Sequence, residues 1–391
     1  MQQFAFIIHP IDARRDVGRK YPLARYMPVP LIEWYIQRKN PMTVADIDGI
    51  RSSTGEDARG WFIGCPLTPR QMLSLPSDVV SGKLERCGEI ARALGAGILG
   101  LGAFTSIVGD GGISLAQKFP GMAITTGNSY TVATALEGAK QGAEMMGHAL
   151  PEARVAVVGA NGSIGATCAE VMARDAAELV LIGRDEARLS MLAERLRDSA
   201  NAPIRTCTDV AAGLRDADIV ITVTSAIDAV IQPEDIKRGA VVCDVARPRD
   251  VSVRVARERS DVLVIEGGVV AVPGQMRVAV TGKPGQKFSF GFPPGTAYAC
   301  MSETMLLALE GRYESFTLGK EVSVAQVDEM ARLAAKHGFE LAGFRSFEKA
   351  VDSGAIDKIR RNAFGAERKS RFRAPRAPLA LRKPVENRHE A

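Results

Sequence analysis

The sequence predicts an α/β protein with a central doubly wound parallel sheet, an N-terminal α/β domain and C-terminal helices. Three observations predict it. From Arg154 onward, six short apolar runs alternate with helical stretches, the pattern of strands buried on both faces and joined by crossover helices. The first run ends in a glycine-rich turn, Gly159-Ala160-Asn161-Gly162-Ser163-Ile164-Gly165, that leads into a helix. The 391 residues leave room for more than this unit, since a domain takes about 150.

Taken in order, residues 1–150 mix short strands (Phe4–Ile8, Gly60–Cys65) with helices. Ser81–Leu94 is expected as a helix because Leu84, Cys87, Ile90, Ala91 and Leu94 form one stripe. Leu99–Val108 is expected as a buried strand and Thr131–Met146 as a second helix. Pro151 marks a boundary. The strands that follow are Arg154–Val158, Leu179–Ile182, Ile204–Thr206, Ile219–Val223, Val241–Asp244 and Val262–Glu266, with helices over 163–174 and 185–199. A Gly/Pro-rich stretch follows Ala271. Helices are expected over 297–312 and 324–337. The divisions are an N-terminal domain at 1–150, a nucleotide domain at 151–272, a C-terminal helical segment at 273–345, and a basic tail at 346–391 expected to be disordered.

Composition excludes several functions. The chain is 46% hydrophobic and 24% charged, an ordinary balance for a soluble globular protein. The six cysteines lie at least 22 residues apart, so no metal finger or redox pair is spelled out, and reduced thiols in the cytoplasm are expected. None of the four histidines lies three or four residues from another, so no metal is expected. The N-terminal residues lack a signal-peptide pattern. The longest uncharged run, Ala93–Gly109, is studded with glycine and too short for a membrane span. The net charge of +5 comes from residues 368–391, which hold eight Lys/Arg and two Glu. The rest of the chain is near neutral, so nucleic acid is not an expected partner.

The glycine turn points to a dinucleotide. Gly159, Gly162 and Gly165 have G-x-x-G-x-x-G spacing. With Asn161, Ser163 and Ile164 they would let a pyrophosphate approach backbone N–H groups at a helix N-terminus. This makes the sheet Rossmann-type. Thr224, just past the fourth strand, is expected beside the cofactor. The second strand ends at Gly183-Arg184-Asp185. A permanently charged arginine suits a 2′-phosphate, so Arg184, helped by Arg188, selects NADPH. Asp185 is read as the cap of the next helix. The plain alternatives are a structural glycine turn and a solvated arginine.

Cys300 stands out among the cysteines. Thr296 is placed to cap a helix whose first turn holds Cys300. The N–H groups and dipole there favour a thiolate. A thiolate beside a reduced nicotinamide suggests thioester reduction to an aldehyde. On the residues alone, a small buried core cysteine remains the alternative.

At these residues the chain resembles the long-chain acyl-[acyl-carrier-protein] reductases, which form aldehydes with NADPH. The segments that carry the resemblance are Leu101–Ile107, Thr125–Thr131, Val155–Gly165, Glu266–Val270, Ala299–Leu307 and His337–Phe339. It covers about residues 1–342 and departs around 271–294 and beyond 345. The resemblance implies that Cys300 is acylated and that residues 1–150 hold the acyl group. It implies an acyl carrier protein or CoA thioester as partner, with a downstream aldehyde-using enzyme as a further one. Phe104, Thr105, Ser106, Thr126 and Asn128 would line the substrate pocket, with Thr126 and Asn128 donating to the thioester oxygen. His337 or His9 would supply a proton, and Glu303 would orient a donor or cap a helix. Three alternatives stay open. One is a glutamyl-tRNA reductase with Cys65 or Cys87 as nucleophile. The others are a dehydrogenase of the shikimate dehydrogenase group and a non-catalytic NADP-binding module.

Overall fold

The computed structural model describes residues 1–365, apart from positions 199, 247, 284, 289–292 and 320. Between Arg154 and Glu266 six parallel strands form one sheet. Their order is Leu263–Glu266, Val241–Asp244, Ile219–Thr222, Arg154–Val158, Glu178–Ile182, Ile204–Cys207. The expected strand ends agree to within one residue. Ile219–Thr222 and Val241–Asp244 are buried along their whole length, as strands covered by helices on both faces must be. The chain reverses the direction of strand addition between Arg154–Val158 and Ile219–Thr222. In such sheets a crevice opens there, at the carboxyl ends of the strands.

The N-terminal region builds a second six-stranded sheet, ordered Gly274–Val280, Met42–Arg51, Asp57–Gly64, Gln2–Ile8, Ile98–Gly100, Ala123–Thr125. The first two pairings are antiparallel and the other three parallel. Its edge strand Gly274–Val280 comes from beyond the nucleotide sheet, so the chain crosses back. This corrects the reading of 273–345 as helical. A further small sheet places Thr296–Tyr298 and Glu340–Leu341 on either side of Val269–Ala271.

Two helices join the sheets. Asn128–Met146 presents Val132, Ala135, Ala139 and Ala143 to a cluster with Val241, Leu263 and Ile265. Ala299–Leu309 has ten of its eleven residues buried, and a helix apolar on every side belongs in a core. It shares a cluster with Phe4, Phe6 and Ile98 of the N-terminal sheet and with Met330 and Leu333 of helix Val324–His337.

Three expectations are corrected. The strand expected over 99–108 ends at Gly100 and gives way to a 3₁₀ turn, Ala103–Ser106. Ala103 is left-handed at φ +48°, which turns the chain out of the sheet. Thr296 is not a helix cap. It lies in a strand, its hydroxyl donates to the Pro293 carbonyl at 2.7 Å, and the helix starts at Ala299. Residues 346–365 are not a disordered tail. They include strand Lys349–Val351 and helix Ser353–Phe364, which Asp352 caps by accepting from Ala355 N–H. The helix buries Ile356, and Phe364 meets His148 edge-on with ring centroids 5.7 Å apart. The basic residues 368–391 lie outside the described residues. Among the described residues, no helix is long and apolar enough to cross a membrane.

Ile356→Ala tests whether this last helix is part of the folded body. It should lower unfolding stability by about 2–4 kcal/mol, seen as a lower urea midpoint. An unchanged midpoint would show that the helix adds nothing.

Candidate active site

A cleft of about 1300 Å³ is lined by both sheets and by the start of helix Ala299–Leu309. The glycine turn forms one end. Gly159 has φ +89°, and a Cβ there would stand 2.6 Å from the Val223 carbonyl oxygen, so only glycine closes this turn. Gly162, Asn161, Ser163 and Ile164 line the cleft at the start of helix Ser163–Met172, where unpaired N–H groups suit a pyrophosphate. Gly165 does not line it. A Cβ on Gly165 would stand 2.3 Å from the Gly159 carbonyl oxygen, so its part is the close fit of helix on turn. The cradle therefore fits a dinucleotide.

Arg184 lines the cleft without a partner among the described residues, and Arg188 donates to the Asn161 carbonyl at 2.9 Å. Asp185 accepts from Arg188 N–H at 3.0 Å as the N-cap of helix Glu186–Arg197. Its carboxylate is thereby engaged in the helix. The Asn161 amide binds both backbone groups of Asp185 at 3.2 Å, tying the glycine turn to the arginine-bearing loop. Thr224 also lines the cleft, but its hydroxyl donates to Asp250 and its N–H to Asp250 Oδ2 at 2.8 Å. That carboxylate also takes the Thr222 hydroxyl at 2.6 Å.

Cys300 opens into the same cleft as the second residue of its helix, half-buried. The first residue, Ala299, donates its N–H to the Gly268 carbonyl at 2.7 Å, which sets the helix start against the nucleotide sheet. Gly127 sets it from the other side. Gly127 has φ +76°, and a Cβ there would come within 2.4 Å of Cys300 Cα and Cβ. Gly102 borders the sulfur, since a Cβ there would stand 3.5 Å from Sγ, but its lack of a side chain makes room for the Phe6 ring, which that Cβ would meet at 2.5 Å.

Beneath Cys300 lies Glu303, fully buried. Its carboxylate accepts from Thr125 Oγ1 (2.5 Å), Thr317 Oγ1 (2.8 Å), Ser129 Oγ (2.9 Å) and Tyr130 N (2.8 Å). It therefore caps the start of helix Asn128–Met146 rather than its own helix. Of the residues the resemblance places in the substrate pocket, Asn128, Thr126 and Ser106 line the cleft. The Asn128 amide has no partner among the described residues. Thr126 does not fit an oxyanion donor, because its hydroxyl donates to Thr317 Oγ1 at 3.0 Å. Phe104 and Thr105 are fully buried and do not line the cleft. Thr105 closes its own turn by donating to the Gly102 carbonyl at 2.8 Å.

The two histidines separate. His337 is corrected from a proton donor to a structural residue. It is buried away from the cleft, with Nδ1 2.8 Å from Ser52 Oγ and Nε2 2.8 Å from Glu310 Oε2. His9 lines the cleft and accepts from Phe104 N–H through Nε2 at 3.3 Å. Burial lowers it to about 4, so it is neutral at pH 7. Two of the other thiols are poor nucleophiles. Burial pushes Cys168 up to about 12. Cys87 is raised well above its ordinary value by its hydrogen bond to Cys65 and by burial. Cys65 reaches the cleft wall but is fully buried.

One cluster on the wall escapes sequence reasoning. Arg249 bridges Glu266 (3.0 Å) and Glu348 (3.2 Å), and Glu348 also meets Arg15 at 3.1 Å. Burial would raise the Glu348 carboxyl, but Arg249 and Arg15 hold it below its ordinary value. Partners 333 residues apart leave no local signal. Among the described residues, no group of three or more His, Cys, Asp or Glu could hold a metal ion.

Residues 141–266 match the Shikimate / quinate 5-dehydrogenase family. The chain is 29% identical to the aminotransferase PigE of a Serratia strain over 92% of its own length, and spans 42% of that protein. It is 27% identical to the long-chain acyl-[acyl-carrier-protein] reductase of Synechococcus elongatus, over 84% of this chain and 95% of that one. It is 27% identical to a glutamyl-tRNA reductase of Roseiflexus castenholzii, over 46% of this chain and 42% of that one. The family match and the two reductase likenesses support an oxidoreductase, and the cofactor is NAD(P)H.

Glu303→Gln would turn an amide N–H₂ toward groups that themselves donate. Leaving buried donors unmatched should cost about 1–3 kcal/mol of unfolding stability, read from urea denaturation. Unchanged stability would show that the carboxylate does not hold the two helices together.

Proposed function

We propose that the chain reduces a long-chain acyl thioester to a fatty aldehyde with NADPH, through an acyl group carried on Cys300. One observation carries this reading: the half-buried Cys300, at the first turn of its helix, shares a single cleft with the glycine turn and Arg184. The helix N-terminus favours the thiolate. The thiolate attacks the acyl carbonyl carbon, a new C–S bond forms, and the carrier's sulfur leaves as a thiol after taking up a proton. The Asn128 amide is placed to donate to the carbonyl oxygen as it gains charge. NADPH, when bound, supplies the hydride that takes the acyl group to the aldehyde. The dipole that activates Cys300 also makes it a good leaving group when the aldehyde departs. The substrate is an acyl carrier protein or CoA thioester, consistent with the likeness to an acyl-carrier-protein reductase. The glutamyl-tRNA reductase alternative would place its nucleophile at Cys65 or Cys87, and neither is exposed.

Intact-mass spectrometry after mixing with a long-chain acyl thioester, without NADPH, tests the nucleophile. Wild type should gain one acyl group and Cys300→Ala none. An adduct on both proteins, or on neither, would remove Cys300 from this role.

Arg184→Ala tests the cofactor choice. Losing one charge-assisted contact to a 2′-phosphate should raise KM for NADPH about tenfold or more and leave KM for NADH nearly unchanged. Equal effects on both cofactors would sink the assignment.

A further inference from the structure

Helices Ala13–Lys20 and Val29–Gln37, with the 3₁₀ turn Pro22–Tyr26 between them, form a separate small layer at the mouth of the cleft. Their own core is minor: Ala13, Ala24, Ile32 and Ile36, apart from the larger clusters. Among its ties to the rest are Glu33, which accepts from Thr68 Oγ1 at 2.7 Å and, through its carbonyl, from Gln71 Nε2 at 2.9 Å, and Arg15, which meets Glu348 at 3.1 Å. This packing leaves several of its large apolar side chains exposed, and the rings of two of them, Tyr21 and Tyr35, meet with centroids 6.3 Å apart. Leu23 is 78% exposed and Tyr26 87%, and Tyr21, Leu31, Trp34 and Tyr35 are exposed beside them. A soluble surface scatters such residues singly. Here six fall within fifteen residues.

The same stretch of chain is basic. Between Asp12 and Lys39 there are seven Lys/Arg and three Asp/Glu. The Arg38 guanidinium lies 3.9 Å from the Trp34 ring centre and Lys39 Nζ 4.4 Å from that of Tyr35. Protruding Leu, Tyr and Trp with flanking Arg and Lys match the interface of an anionic bilayer, where rings sit at headgroup depth and cations meet lipid phosphates. A protein partner would more often find its anchors in recessed pockets. Tyr21, Tyr35, Ile36 and Lys39 also line the cleft, so the patch and the cleft mouth are continuous.

We infer that this layer seats the protein on an anionic lipid surface, with the mouth of the cleft at the headgroups. An apolar ligand could then pass between cleft and bilayer without crossing water. The binding itself is independent of the reaction proposed above, and its test uses neither thioester nor cofactor.

The full chain carries two tryptophans, Trp34 and Trp61, so in Trp61→Phe the emission reports on Trp34 alone. This protein is mixed with vesicles of phosphatidylcholine, with and without phosphatidylglycerol. On anionic vesicles Trp34 emission should shift to the blue and be quenched by brominated acyl chains. Leu23→Ser/Tyr26→Ser, both exposed and harmless to folding, should weaken vesicle binding at least about tenfold. Vesicle binding with Trp34 emission unmoved would mean adsorption through the basic residues 368–391, and would overturn the inference. So would an absence of vesicle binding, or a patch that binds only an acidic carrier protein.

Discussion

The buried carboxylate of Glu303 is the constraint on which the site depends. It sits on the Cys300 helix yet spends its four accepted hydrogen bonds on other segments: the end of strand Ala123–Thr125, the first turn of helix Asn128–Met146, and Thr317. No cation is among these partners. A carboxylate out of water is costly unless it is fully hydrogen-bonded, and here hydroxyls, one N–H and the positive end of a nineteen-residue helix supply the compensation. The outcome is geometric. Cys300 and Asn128 belong to different helices, 172 residues apart in sequence, yet they are held as one block with the Gly127 backbone pressed between them.

That block joins two sheets that could otherwise move independently. Helix Asn128–Met146 follows the N-terminal sheet but buries its side chains on the nucleotide sheet. Strand Gly274–Val280 follows the nucleotide sheet but completes the edge of the N-terminal one. The chain thus crosses the cleft in both directions. Arg249, Glu348 and Arg15 add a charged tie across its wall. A hydride transfer between groups bound on opposite walls requires their separation to be fixed to a fraction of an ångström, and interleaved segments fix it better than one hinge.

How much was legible follows from how local each signal is. The nucleotide sheet read cleanly because parallel strands buried on both faces are continuous apolar runs, and because glycine spacing marks the turn. Met42–Arg51 hid although its sequence, MTVADIDGIR, alternates in part as a half-buried strand does, because the adjacent Val44 and Ala45 and the bulge at Gly49 interrupt the alternation. Gly274–Val280 hid among glycines and prolines, since only its partner strand makes it a strand. The helix Ser353–Phe364 was lost in the basic composition that follows it.

The site divides along the same line. The Cys300 placement survives although its expected cap, Thr296, is in a strand, because position in a first turn depends on where the helix starts and not on which group caps it. Arg184 and Asp185 were legible because the end of a strand and the cap of the next helix are adjacent in sequence. His337 was not. A histidine near a motif and a histidine facing a cleft look alike in sequence, and Ser52 and Glu310, which engage both its ring nitrogens, are brought to it by the fold. The N–H groups of a helix start act on whatever side chain sits there, whereas a proton donor must face the reacting atoms. A thiol at a helix start can therefore be placed from a few residues, whereas which histidine faces a cleft cannot.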